Sequence, residues 1–136
     1  AEMVSRDKNR ASVIIWSVGN ETPPGSPRLL FMSTLAIEAK RLDPTRLVSA
    51  ACEAHFPPEK PQIIETNDPL AQYLDVVSMN EYIGWYFSTP SACRNMTFES
   101  VYQKPLFISE LGAEALPGLR GDSTDRWSED YQAWFY

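Results

Sequence analysis

The sequence predicts an α/β fold in which short buried strands alternate with helices. Four apolar runs are short enough to be strands, and none alternates cleanly between apolar and polar residues, which favours strands buried on both faces of a parallel sheet. These runs occupy residues 13–18, 47–52, 76–80 and 106–109. Their first residues lie 34, 29 and 30 positions apart, and a strand–helix–strand unit takes about 30 residues.

The segment after the first strand predicts a helix. Ser26 can cap its N-terminus, Pro27 suits the first helical position, and Asp43-Pro44 ends the pattern. A single apolar stripe along this helix is formed by Met32, Leu35, Ala39 and Leu42.

The other connections have weaker patterns. Residues 53–73 are rich in proline and predict a loop with a short helix near residues 70–74, and residues 97–104 predict another short helix. Near the end of the chain, Trp127, Tyr131, Trp134 and Phe135 recur at helical spacing, and the pattern stops without a Gly or Asn cap. We therefore expect residues 1–136 to form a single partial domain that is truncated at both ends.

Repeated βα units are typical of an open doubly wound sheet or of part of a (β/α)8, or TIM, barrel. A dinucleotide-binding sheet would carry a glycine-rich turn after its first strand, and the six glycines form no GxGxxG pattern. A whole TIM barrel takes about 250 residues. The four units therefore predict parallel strands that form about half of a TIM barrel.

The composition limits the possible partners. The net charge is −6 without a basic cluster, which argues against nucleic acid and anionic membranes as partners. Cys52, Cys93 and the single histidine, His55, form no ligand pattern, so neither a metal nor a cofactor is predicted. No apolar run approaches the ~20 residues of a membrane helix. The charged start, "AEMVSRDKNR", is unlike a signal peptide, so a cytoplasmic rather than a secreted location is expected.

Polar residues follow all four predicted strands. The strand ends carry Asn20-Glu21, then Glu53 and His55, then Asn80-Glu81-Tyr82, and finally Glu110. Functional residues of a TIM barrel gather at these carboxyl ends. Paired carboxylates there indicate glycoside hydrolysis, in which one protonates the leaving oxygen and the other attacks the anomeric carbon or activates water.

Four ordered blocks carry a more specific resemblance: "RDKNRASVIIWSVGNE", "LDPTRLVSA", "DVVSMNEYIGWY" and "KPLFISELGAEALPGLRGD", the last followed by "RWSEDYQ". In order and spacing they resemble glycoside hydrolase family two, in its β-glucuronidase and β-galactosidase branch, over essentially the whole chain. The resemblance implies strands 4 to 7 of that family's barrel and a retaining β-glycosidase that forms a covalent glycosyl-enzyme.

The same resemblance implies roles for the carboxylates. Glu21 matches the general acid/base and Glu110 the nucleophile, so Glu21 must be protonated when it donates and Glu110 ionised when it attacks. Tyr82 resembles the tyrosine whose hydroxyl orients the nucleophile.

Further positions match substrate-binding residues of the family. Asn20 resembles the amide that contacts the sugar 2-hydroxyl, and Asn80 and Tyr86 resemble other sugar-contacting positions. Trp85 either stacks on a sugar face or packs under its loop, and the sequence does not separate the two.

Several alternatives stay open at this stage. The substrate is a β-glucuronide or a β-galactoside, with a β-mannosidase-type enzyme or a non-catalytic sugar- or partner-binding half-barrel as alternatives. A nucleotide-binding protein is disfavoured because no glycine-rich phosphate loop is present. Unpaired sheet edges would also promote self-association, and we expect the isolated chain to be weakly active or inactive.

Overall fold

A four-stranded sheet is the centre of the fold in the computed structural model, which describes residues 1–136. The strands are β1 (Ile15–Asn20), β2 (Leu47–Ala51), β4 (Val76–Asn80) and β6 (Leu106–Glu110), in the order β1-β2-β4-β6. β1 is parallel to β2, and β2 is parallel to β4. This open sheet confirms the α/β class and the four predicted strands, and it is consistent with part of a TIM barrel.

Two compact groups of residues make up the chain. The first unit comprises residues 1–80 and 97–109, and the second comprises residues 81–96 and 110–136. The core of the first unit contains Val48 and Val77 from the sheet, which are 1% and 0% exposed. The core of the second contains Trp85, Ala113 and Tyr131.

The long helix α2 (Ser26–Leu42) covers one face of the sheet. Met32 and Ala39 of the predicted stripe are buried, and Leu35 and Leu42 pack against the same core, so the stripe is confirmed. The capping residue differs by one position. Gly25 precedes the helix and Ser26 is its first residue, with no side-chain cap.

A second, two-stranded parallel sheet corrects the prediction for residues 97–104. That segment contains a strand, β5 (Thr97–Ser100), which pairs with β3 (Ile63–Thr66) in the register Ile64↔Phe98. The predicted short helix is therefore wrong. Helical propensity is a weak local preference, and the backbone of β3 supplies hydrogen-bond partners that a local pattern cannot reveal.

Short helices complete the chain. A 3₁₀ helix, Pro69–Tyr73, lies close to the short helix predicted after the proline-rich loop. The sequence patterns did not indicate α1 (Glu2–Asp7). The last helix, α3 (Glu129–Phe135), is capped by the preceding Ser128, whose side chain accepts a hydrogen bond from the Tyr131 N–H at 2.9 Å. None of the helices has the length and apolar character that crossing a membrane requires.

Candidate active site

Three polar side chains of the first unit form a hydrogen-bonded row at the carboxyl ends of the strands. The Ser109 hydroxyl donates to Asn80 Oδ1 at 2.8 Å, and Asn80 Nδ2 donates to Asn20 Oδ1 at 2.8 Å. Asn80 is only 8% exposed, whereas Asn20 is exposed. The structure therefore brings together the predicted residues Asn20 and Asn80, which are 60 positions apart.

Glu21 follows β1 directly in an unusual backbone conformation. Its φ is +46°, in the left-handed region, which few residues other than glycine adopt and which is enriched at functional sites. Its N–H donates to the Ala51 carbonyl at 2.9 Å, and the residue is exposed. The end of β2 thus supports the turn that carries this carboxylate.

The turn after Glu21 is tied to a buried ion pair. Arg28 Nε donates to the Thr22 hydroxyl at 2.7 Å, and the guanidinium makes a two-pronged contact with Asp68 at 2.6 and 2.8 Å. The two side chains of the pair are 12% and 1% exposed. Hydrogen bonding to Asp68 raises the pKa of Arg28, so this cation is firmly ionised.

Ser109, Arg28 and Asp68 were not singled out from the sequence. Asp68 stands directly before Pro69 and caps the 3₁₀ helix by accepting the Leu70 N–H at 2.9 Å. An Asp-Pro pair is typical of a helix start, so the sequence alone could have indicated this cap. No comparable local signal marks Ser109 or the pairing of Arg28 with Asp68, since their partners lie 29 and 40 positions away.

In the second unit, Glu110 accepts a hydrogen bond from Tyr82. The phenol donates to Glu110 Oε2 at 2.5 Å, and the Glu81 N–H donates to the Glu110 carbonyl at 2.9 Å. The Tyr82 ring meets the Tyr86 ring edge-to-face at 5.0 Å, and Tyr86 is 72% exposed. The structure therefore groups the predicted residues Tyr82, Tyr86 and Glu110.

Trp85 lies mostly inside the second unit. It is 7% exposed, and its ring meets Trp127 edge-to-face at 4.8 Å. The preceding residue, Gly84, has a φ of +94°, and a Cβ there would approach Pro90 to 2.6 Å. The Tyr131 hydroxyl donates to the Gly84 carbonyl. This environment favours the packing role for Trp85 over sugar stacking.

The second unit also contains a small open pocket beside these aromatic residues, with a volume of about 180 Å³. It is lined by Tyr82, Trp85, Tyr86, Leu111, Gly112, Ala113, Glu114 and Tyr136. Aromatic faces and a carboxylate are groups that carbohydrate-binding sites use, because sugars offer both apolar C–H faces and hydroxyl groups.

The remaining strand-end residues have other contacts. His55 exchanges two backbone hydrogen bonds of 2.9 Å with Glu65 of β3, and its Nε2 lies 3.8 Å from the Glu65 carboxylate. Cys52 is fully buried, and burial raises the pKa of its thiol to about 12. Neither environment resembles a nucleophilic site.

The sequence of the chain is similar to those of known proteins. The family model for the TIM barrel domain of glycosyl hydrolases family 2 matches residues 1–136. The β-glucuronidases of Mus musculus and Homo sapiens are 36% and 30% identical over 140 residues, and the match covers 96% of this chain. The chain spans 20% of the length of each of these relatives.

Solved structures give the same result. A β-galacturonidase from Eisenbergiella tayi bound to galacturonate is 28% identical with a TM-score of 0.71, covering 96% of this chain and 23% of that one. A β-D-glucuronidase of Dictyoglomus thermophilum is 29% identical with a TM-score of 0.70, covering 98% of this chain and 23% of that one. Because the family model matches from the first residue to the last, the chain belongs to the TIM barrel domain of glycoside hydrolase family 2.

Proposed function

We propose that the chain supplies the two catalytic carboxylates of a retaining β-glycosidase that hydrolyses terminal β-uronides, with β-glucuronides as the first choice. The observation that carries this proposal is the hydrogen bond from the Tyr82 hydroxyl to Glu110 at the end of β6. It engages Oε2 and leaves Oε1 to attack an anomeric carbon. The uronide preference rests on the relatives, whose names are β-glucuronidase and β-galacturonidase.

In the proposed first step, Glu110 Oε1 forms a bond to the anomeric carbon while the bond to the leaving oxygen breaks. Glu21 transfers its proton to that oxygen, so the aglycone departs as a neutral alcohol and a glycosyl ester of Glu110 remains. In the second step, Glu21 takes a proton from water as the water oxygen attacks the anomeric carbon. This releases the sugar with retained configuration and restores both carboxyl groups.

The position of each carboxylate supports this division of roles. Glu21 is carried on a left-handed turn that the Ala51 carbonyl and the Arg28–Asp68 pair support from within its own unit. Glu110 is oriented by a phenol that can donate only one hydrogen bond. A retaining mechanism requires about 5–5.5 Å between the two carboxyl groups, a separation that a crystal structure of the full-length protein would measure.

The test uses Glu21→Gln and Glu110→Gln in the full-length protein, with Glu59→Gln as the matched control because Glu59 is an exposed carboxylate outside the candidate site. Turnover of 4-nitrophenyl β-glucuronide should fall by roughly a thousandfold or more in Glu110→Gln, and the control should retain activity. A 2-deoxy-2-fluoro glycosyl fluoride should label Glu110 covalently. Unchanged turnover in either catalytic variant would remove the assignment.

Substrate preference needs a separate assay. A panel of 4-nitrophenyl β-glucuronide, β-galacturonide, β-galactoside and β-mannoside measures kcat/KM for each sugar. We expect the two uronides to exceed the neutral sugars. Faster turnover of the galactoside or mannoside would contradict the proposed preference for uronides. Sugar binding without turnover of any of the four would favour the non-catalytic half-barrel.

A further inference from the structure

We infer that Ser109 is a positioning residue that sets which atom of the Asn20 amide faces a bound sugar. This inference rests on the proposed function and adds a residue that the resemblance does not assign. Its basis is the direction of the hydrogen bonds in the row Ser109–Asn80–Asn20. The serine hydroxyl donates to Asn80 Oδ1, and Asn80 Nδ2 donates to Asn20 Oδ1, so the Asn20 NH2 group is not the part of that amide that faces Asn80.

The two amides can reverse only together. An asparagine side chain has one accepting oxygen and one donating NH2 group. If Asn80 alone turned over, its oxygen would face the oxygen of Asn20 and its NH2 group would displace the serine proton. Since Asn80 is 8% exposed, such a mismatch would leave buried polar atoms without partners, which is unfavourable.

The two amides have two joint orientations in which every hydrogen bond of the row is made, and the serine proton favours one of them. The Ser109 oxygen lies 2.8 Å from Asn80 Oδ1 and 3.2 Å from the Met79 carbonyl oxygen. A hydroxyl has a single proton, and the shorter distance is the ordinary one for an O–H···O hydrogen bond. The proton therefore goes to Asn80, and the donor direction continues along the row to Asn20.

The direction of the row decides whether Asn20 offers a hydrogen-bond donor or an acceptor to a ligand. Asn20 immediately precedes Glu21 and is exposed, and with its Oδ1 engaged by Asn80 the amide group left for a ligand is the donating NH2 group. It therefore recognises an acceptor atom, such as a hydroxyl oxygen of the sugar. Without the serine proton, both amides gain the freedom to reverse, and the preference for an acceptor weakens.

The test compares a 4-nitrophenyl β-glucuronide with its 2-deoxy counterpart in the full-length protein. Ser109→Ala removes the hydroxyl, Ser109→Thr keeps it, and Ser17→Ala is the control because Ser17 is an exposed serine on β1 that contacts no site amide. In Ser109→Ala, the ratio of kcat/KM between the two substrates should shrink by about three- to tenfold, the effect of one neutral hydrogen bond. Ser109→Thr and Ser17→Ala should keep the wild-type ratio.

This ratio separates positioning from general damage to the fold. A merely structural defect lowers kcat/KM for both substrates alike and leaves their ratio unchanged. An unchanged ratio in Ser109→Ala would therefore overturn the inference, even if the absolute rates fell.

A second readout keeps the inference separate from the proposed function. In protein labelled with ¹⁵N-asparagine, the side-chain amide signals of Asn20 and Asn80 should shift or broaden in Ser109→Ala but not in Ser109→Thr or Ser17→Ala. If the wild-type protein hydrolyses no β-glycoside, the proposed function fails and these signals decide the inference alone. Unaltered amide signals in Ser109→Ala would refute the role of Ser109.

Discussion

Removing Asp68 should destabilise the first unit far more than removing a carboxylate from a surface ion pair. Asp68→Ala leaves the Arg28 guanidinium, whose side chain is only 12% exposed, without its carboxylate partner. It also leaves the N–H of Leu70, a residue that is 0% exposed, without its acceptor. Both effects are costly because the groups left without partners are buried, where water cannot replace the lost carboxylate.

The expected magnitude follows from that burial. Breaking a buried ion pair by removing one partner costs about 3–5 kcal/mol, because an uncompensated charge stays in the interior. At a urea m-value of about 2 kcal/mol/M, a loss of ~4 kcal/mol moves the unfolding midpoint by about 2 M. The exposed pair of Arg41 with Glu38, whose side chains are 66% and 37% exposed, supplies the control. Glu38→Ala should leave the unfolding midpoint nearly unchanged, because water already solvates both charges.

The assay is urea unfolding followed by circular dichroism for the wild type, Asp68→Ala, Arg28→Met and Glu38→Ala. A double variant, Asp68→Ala with Arg28→Met, removes the buried charge as well and should recover part of the lost free energy of unfolding. If Asp68→Ala costs no more than Glu38→Ala, the reasoning from burial is refuted. If the stability lost in the double variant equals or exceeds the sum of the losses in Asp68→Ala and Arg28→Met, the two side chains are not coupled as the structure indicates.

Three further predictions concern single side chains. Tyr82→Phe removes a hydrogen bond to a charged carboxylate and should lower kcat by about ten- to hundredfold with little change in stability; a kcat equal to that of the wild type would exclude an orienting role. Cys52 is 0% exposed with a thiol pKa of about 12, whereas Cys93 is exposed, so iodoacetamide at pH 8 should modify Cys93 alone in the folded protein, as peptide mass spectrometry would show. Hydrogen bonding, first from the Thr45 hydroxyl, holds the pKa of Asp43 well below its usual range, so Asp43 contributes stability above pH ~4 that is lost as the pH falls through its lowered pKa. Asp43→Asn should therefore be less stable than the wild type at pH 7, and the difference should narrow in urea unfolding below pH 4; a difference that grows on acidification would contradict the assignment.

Periodicity and spacing were sufficient to predict the main sheet. The four strands repeat about every 30 residues, and the stripe from Met32 to Leu42 marks the face that α2 buries. These features are local, because a buried strand and an amphipathic helix each show their burial in a short window. The segment 97–104 was mispredicted because its strand forms only against β3, which lies more than 30 positions earlier in the chain.

The sequence by itself determined the α/β class, the four strands of the main sheet and the polar residues that end them, because short runs of buried apolar residues between polar segments leave a pattern along the chain. Only the tertiary structure decided which of those polar groups share hydrogen bonds: Asn80 with Asn20, Tyr82 with Glu110, and Arg28 with Asp68. The physical reason is that a hydrogen bond depends on the distance and direction between two atoms. The two residues of each pair lie 28 to 60 positions apart in the sequence, so folding alone brings them together.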